Sequence, residues 1–179
     1  VHHHDARAHP GGRTDVGRPT TGPCAPRHEE AATAAWADVE LVEAERINCH
    51  HNFTQQETHF GKKVWVSRKG AVEAREGQPG LIPGSMGTAS YVVSGKGFAP
   101  SLNSSPHGAG RVHSRASARR TFTHEQLRVA MAGIEFRDTD AFLDEIPAAY
   151  KDIDQVMADA TDLVEVRHVL HQLVNVKGD

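Results

Sequence analysis

Residues 104 to 111 read Ser-Ser-Pro-His-Gly-Ala-Gly-Arg, with His107 set between a proline and two glycines. An imidazole in backbone so stripped of side chains has little to pack against. Gly108 and Gly110 let main-chain N–H groups approach an anion. Arg111 supplies a permanent cation. Neutral imidazole can attack phosphorus and form a phosphoramidate. Such an intermediate needs its charge neutralised, and an arginine and a metal ion are the usual means. The combination reads as phosphate chemistry. A tight turn holding an incidental histidine is the plainer alternative.

Three other stretches carry chemistry-bearing residues. Asn48-Cys-His-His-Asn offers His51 as a metal ligand and Asn52 as an amide for a phosphate or purine. Adjacent histidines point in different directions, so they serve one metal only with donors from elsewhere. On spacing alone a structural role is equally admissible. Pro83-Gly84-Ser85-Met86-Gly87, with Ser90 beyond, resembles loops that cradle anions with N–H groups and hydroxyls. It lacks the Gly-Lys-Ser/Thr of a Walker A loop, and a turn between two strands explains it as well. Arg68, Lys69, Arg111, Arg115, Arg119 and Arg120 could follow an RNA backbone, although charged helix faces are commonly just solvated. Lys177, almost at the end, reads by itself as a surface lysine.

The elements that must position these groups follow from composition and pattern. The chain has 179 residues and a net charge of −3, with a mean hydropathy of −0.51. One domain is the natural expectation. The near-neutral charge confines any polyanion contact to a local patch. Thirteen histidines keep metal chemistry in view. No apolar run reaches the length of a membrane span. Cys24 and Cys49 form no Cys-x-x-Cys pair, and their usage favours a reducing cytoplasm over a disulfide framework.

Residues 1–37 contain no Leu, Ile, Phe or Met, carry a His run at 2–4, and are punctuated by Pro and Gly. Such a segment cannot offset the entropy of ordering, so disorder or a non-native origin is expected there. Residues 38–179 are globular in texture. Val39–Glu43 reads as a strand, Thr54–His59 as a polar helix stopped by Gly61, and Val64-Trp-Val with Ala71-Val as a hairpin around Arg68-Lys69-Gly70. A strand at Tyr91–Val93 follows the glycine-rich loop. Helices are expected over Ser114–Arg120, from an N-cap at Thr123 to Ala132, over Asp140–Glu145, and over Asp152–Ala160. The β-branched run through Val164, Val166, His168 and Leu170 favours a strand. Strands and helices without a βαβ rhythm indicate α+β.

Six motifs then occur together. Asn48-Cys-His-His-Asn, Arg68-Lys-Gly-Ala, Ile82-Pro-Gly-Ser-Met-Gly, Ser105-Pro-His-Gly-Ala-Gly-Arg, Asp144-Glu-Ile-Pro-Ala-Ala-Tyr-Lys-Asp-Ile and the terminal Val-Lys-Gly resemble the RNA-splicing ligase family RtcB. The resemblance covers roughly Val39 to Asp179, and residues 1–37 resemble nothing in the family. It implies the C-terminal portion of the RtcB-like fold and a GTP- and Mn²⁺-dependent ligase. That enzyme joins RNA 3′-phosphate or 2′,3′-cyclic phosphate ends to 5′-hydroxyl ends, in tRNA splicing or RNA repair.

By the same resemblance, His107 is the guanylylated nucleophile and His51 a manganese ligand. Asn52, Pro83, Gly84, Ser85, Met86, Ser90, Gly108, Ala109, Gly110 and Lys177 match positions that hold the guanylate. A protein activator of the archease type is an implied partner. Arg111 is a candidate phosphate or RNA contact.

The family's chains are more than twice as long. The part without a counterpart here supplies the Asp and Cys metal ligands, two further His ligands and an acidic nucleotide contact. Cys49 does not replace that Cys, because it belongs to the His-His motif. A truncated chain that is inactive or nearly so is therefore expected. The alternatives are a non-catalytic remnant that binds nucleotide or RNA, and an unstable fragment with exposed core.

Overall fold

The computed structural model describes residues 46–176. The expected strand at Val39–Glu43, the compositional boundary at 37/38 and Lys177 lie outside the described residues. Within them the architecture is α+β, as expected: nine strands and four helices. No described helix is long and apolar enough to cross a membrane.

The first described elements form an antiparallel hairpin, β1 (Asn52–His59) against β2 (Lys62–Lys69), in register from Asn52↔Lys69 to His59↔Lys62. Its turn is Phe60-Gly61, both at positive φ (52° and 75°), which is the geometry of a two-residue type I′ connection. A helix was expected over Thr54–His59, and the structure overturns that. Burial alternates with period two, and Glu57 and His59 are buried on the inner face. Their polarity hid a strand whose inward groups satisfy one another.

Arg68 of β2 is the centre of that inner face. It is 2% exposed and bonds to both Glu57 oxygens, to Ser104 Oγ at 3.0 Å and to the Leu102 carbonyl at 2.9 Å. His59 Nε2 lies 2.6 Å from Glu57, and Gln55 donates to Glu57 at 2.9 Å. The outer face carries Asn52, Thr54, Gln56 and Thr58 opposite Lys69, Ser67, Trp65 and Lys63.

The hairpin expected around Arg68-Lys69-Gly70 is also corrected. The chain turns at Gly70, and β3 (Ala71–Glu73) leaves β2 to pair antiparallel with β6 (Ser104–Pro106). Between them, β4 (Pro79–Pro83) and β5 (Ser90–Gly95) pair around the glycine-rich loop, with Pro83 opposite Ser90. The β4–β5 pair thus keeps the turn-between-strands reading of that loop.

The helices follow their caps. Ser114 accepts from Ser117 N–H at the start of α1 (Arg115–Thr121). Thr123 and Gln126 form a capping box on α2 (His124–Ala130). After the short strand β7 (Glu135–Phe136), α3 covers Asp140–Leu143, and Pro147 opens a 3₁₀ turn. Asp152 caps α4 (Ile153–Asp159).

The expected terminal strand is present as β8 (Val164–Leu170), on the free side of β5. Only Val164 of it is buried, and the ladder shifts register between Val92 and Val93. The apolar side anticipated for Val164, Val166, His168 and Leu170 is therefore exposed beyond its first residue. A two-residue parallel pairing joins β9 (Val174–Asn175) to β7.

Two apolar clusters hold these elements. Ile82, Tyr91 and Val93 pack with Ala109 and with Ile153 and Met157 of α4. Met86 packs with Leu127, Met131, Phe142 and Ile146 among the helices. Tyr150 touches both clusters.

Candidate functional site

His51 ends the segment that leads into β1, and His107 directly follows β6. Gly70 brings them together. Its N–H donates to the His51 carbonyl at 2.9 Å, and its own carbonyl accepts from His107 N–H at 3.3 Å. The two imidazoles stack, with centroids 4.2 Å apart and planes 28° from parallel. His107 is half-buried. Burial, and then the neighbouring His51, holds its pKa below the ordinary 6.5. Both effects favour the neutral imidazole, the form in which a ring nitrogen can attack an electrophile.

The glycine loop lies against this pair. A Cβ built on Gly108 would stand 3.0 Å from the Pro83 carbonyl oxygen, so the His107 loop touches the end of β4. Within the glycine loop, Gly84 N–H bonds the Ala89 carbonyl at 3.1 Å. Ser85 N–H bonds Thr88 Oγ1 at 2.6 Å. A Cβ on Gly84 would fall 2.4 Å from both the Ala89 oxygen and Thr88 Oγ1. The close fold of the loop is what requires glycine there. It also uses N–H groups that the sequence reading had offered to an anion: those of Gly84, Ser85 and Thr88 are already bonded within the loop.

Pro83, Gly84, Ser85 and Met86 form one wall of a pocket of about 320 Å³. Phe142, Glu145 and Tyr150 form another, and Gln172, Asn175 and Val176 close it. Gln172 Nε2 donates to the Ser85 carbonyl at 3.0 Å, and Asn175 Nδ2 to the Met86 carbonyl at 3.5 Å. Two aromatic side chains beside amide and carbonyl groups suit a ligand with both apolar and hydrogen-bonding parts. The last turn of chain before Lys177 therefore borders the pocket. Phe142, Glu145, Tyr150, Gln172 and Asn175 were not assigned a role from sequence. Asp144–Ile153 stood out as a motif without one, and Gln172 and Asn175 carried no signal at all.

Of the remaining positions matched to the guanylate, Ser90 faces Pro83 across the β4–β5 ladder. Asn52 opens β1 opposite Lys69. Ala109 is buried in the first cluster, and the Gly110 carbonyl accepts from Lys151 N–H at 2.9 Å. None of these four lines the pocket.

Arg111 departs from expectation. Its guanidinium stacks over the Tyr150 ring at 4.7 Å. It donates to the His113 carbonyl at 2.9 Å, to Tyr150 Oη at 2.8 Å, to Glu145 at 3.2 Å and to the Asp144 carbonyl. A fork so occupied fastens the His107 loop to the Glu145–Tyr150 wall rather than presenting charge to phosphate. Burial, and then the bond to Glu145, pushes the Tyr150 phenol up to about 12, against the lowering effect of Arg111.

The anticipated basic track is also broken up. Arg68 is interior, and Arg115 and Arg119 reach the fully buried Asp144 at 3.7 and 3.2 Å. Among the described residues, no group of three or more His, Cys, Asp or Glu side chains is arranged to hold a metal ion. His51 is a suitable single donor, but these residues alone do not fit a closed manganese site.

The profile of a family described as "tRNA-splicing ligase RtcB" matches residues 27–178. The match begins inside the segment that composition had set apart, so the family likeness extends further toward the N-terminus than the motifs indicated. The chain is 55% identical over 134 residues to the "RNA-splicing ligase RtcB" of Escherichia coli (strain K12), covering 75% of this chain and 33% of that protein. It is 38% identical over 169 residues to the "tRNA-splicing ligase RtcB" of Pyrobaculum aerophilum, covering 80% of this chain and 35% of the relative. With the Mycobacterium tuberculosis "RNA-splicing ligase RtcB" the identity is 42% over 128 residues, covering 60% and 30% of the two chains. The chain spans about a third of the length of these curated relatives.

Proposed function

The chain belongs to the RtcB family, and from that premise we propose that it carries the nucleophile and part of the guanylate pocket of an RNA ligase. The observation that supports this most is the placement of His107. It is half-buried and stacked on His51, its environment favours the neutral imidazole, and its loop touches the wall of the pocket through Gly108 and Pro83.

In this reading a ring nitrogen of His107 attacks the α-phosphorus of GTP. A P–N bond forms and pyrophosphate leaves. The GMP passes to an RNA 3′-phosphate, and a 5′-hydroxyl displaces it to make the phosphodiester. Manganese, when bound, neutralises charge on the reacting phosphate. His51 is the donor the described residues contribute, and the others come from outside them. Tyr150 borders the base, and Arg111 holds the loop and the wall together. The cluster of donors is incomplete among the described residues, which favours a second reading: nucleotide binding without catalysis by this polypeptide alone.

One experiment separates them. The matching third of the Escherichia coli ligase is replaced by residues 46–179 of this chain, and the chimaera and the chain alone are incubated with α-labelled GTP and Mn²⁺. The expected outcome is an acid-labile label on the chimaera, lost in His107→Ala, and none on the chain alone. An unlabelled chimaera that is folded overturns the ligase reading. A label on the chain alone overturns the need for donors from elsewhere.

A further inference from the structure

The outer face of the β1–β2 hairpin is unexplained by packing among the described residues. Trp65 lies at the middle of β2 and is 72% exposed, opposite Gln56. A tryptophan left in water forgoes the burial that normally justifies so large an apolar surface. Phe60, also 72% exposed, occupies the hairpin tip at φ 52°, a conformation seldom tolerated by a bulky side chain. Lys63 and Lys69 flank Trp65 on the same face, and Lys62 sits beside the tip. No carboxylate stands on that face: Glu57 points inward to Arg68.

The face is continuous with the site. Its last rung, Asn52↔Lys69, adjoins His51 on one strand and Gly70 on the other, and Gly70 bonds both histidine segments. From Lys69 to Lys63 the strand runs about 20 Å, the length of a few nucleotides. An exposed ring between two cations is the arrangement that seats unpaired bases and their phosphates. A helical duplex offers no base face to such a ring.

We propose that this face seats single-stranded RNA adjoining the end that reacts at His107, with Trp65 stacking a base and Lys63 and Lys69 holding phosphates. The inference rests on the ligase reading for the identity of its occupant. Its partner is argued from charge, from the exposed rings and from continuity with the His51–His107 pair.

The test is a titration of this chain into a labelled oligouridylate of about 20 nucleotides, followed by fluorescence anisotropy across a salt series. It contains neither GTP nor Mn²⁺, so it reads the face independently of guanylylation. Trp65→Ala is expected to weaken binding about tenfold or more, the loss of one stacked base, while Trp65→Phe retains most of it. The double variant Lys63→Ala/Lys69→Ala, which removes no packing, is expected to flatten the dependence of log K on log salt by about 0.7 for each lysine. A duplex of the same length is expected to bind more weakly and to ignore Trp65→Ala. The proposal is overturned if the parent chain does not bind the oligonucleotide. It is equally overturned if the lysine variant keeps the parent's affinity and slope, or if the duplex binds as tightly as the single strand. A failed label on the chimaera, by contrast, counts against the ligase reading.

Discussion

At the scale of single residues, Arg111 and the two loop glycines define what the site tolerates. Arg111→Ala removes the stacking on Tyr150 and four donated bonds. A loss of about 1–3 kcal/mol is expected in urea unfolding, with weaker GMP binding by calorimetry. Lysine at that position keeps the charge but not the fork, so Arg111→Lys should resemble the alanine variant. A direct phosphate contact predicts the reverse: lysine would rescue binding. Gly84→Ala forces a Cβ to 2.4 Å from backbone and should cost about 1–3 kcal/mol. Gly108→Ala meets the Pro83 oxygen at 3.0 Å. Its effect should fall on His107 labelling in the chimaera more than on the melting temperature. His107 stands out in the sequence by its glycine-flanked neighbourhood, and the fold stacks it on His51. Arg111 was misassigned because a sequence shows the cation and not the ring and carboxylate that occupy it.

At the scale of elements, the hairpin's polar interior controls both stability and legibility. Burial would raise the Glu57 carboxyl, but hydrogen bonds from Arg68, Gln55 and His59, together with the Arg68 charge, outweigh it and hold it at about 2 instead of 4.5. The folded chain keeps this carboxylate charged in a pH range where the unfolded chain takes up a proton. Its stabilising contribution is therefore complete above pH 4.5 and is lost as pH falls toward 2. Urea midpoints should drop through that window, and Glu57→Gln should lower stability at neutral pH while flattening the drop. An unchanged pH profile in Glu57→Gln would remove the carboxylate from this role. The same ion pair explains why β1 reads as a helix in sequence. Period-two alternation is there, but its inward members are Gln55, Glu57 and His59, which no apolar template scores. The helices were legible because Ser114, Thr123 and Asp152 are local signals. The β3–β6 pairing was not, since Gly70 redirects the chain to a partner more than thirty residues away.

At the scale of the whole molecule, the pocket is assembled from distant segments: the end of β4, the Glu145–Tyr150 turn and the stretch before residue 177. Sequence supplied the first as a motif and left the others without a role, because their relevance comes only from convergence. Tyr150 is the shared member of both apolar clusters. Tyr150→Ala should therefore lower the melting temperature and abolish nucleotide binding together. Tyr150→Phe keeps the ring, so it should retain most binding and lose only the hydroxyl bonds to Arg111 and Glu145. A phenylalanine variant as damaged as alanine in calorimetry would assign the main role to the hydroxyl instead.

Gly70 gives this arrangement an unusual modularity. One residue, bonded through its N–H to the His51 segment and through its carbonyl to His107, sets the spacing of the two segments. The hairpin tip at Phe60-Gly61 lies at the opposite end of the ladder. Extra residues grafted at the tip lengthen a lever without moving its fulcrum. A single residue inserted beside Gly70 shifts the fulcrum itself. The tip is thus the natural place to attach a reporter or crosslinker, and the neighbourhood of Gly70 is where the chain has no slack.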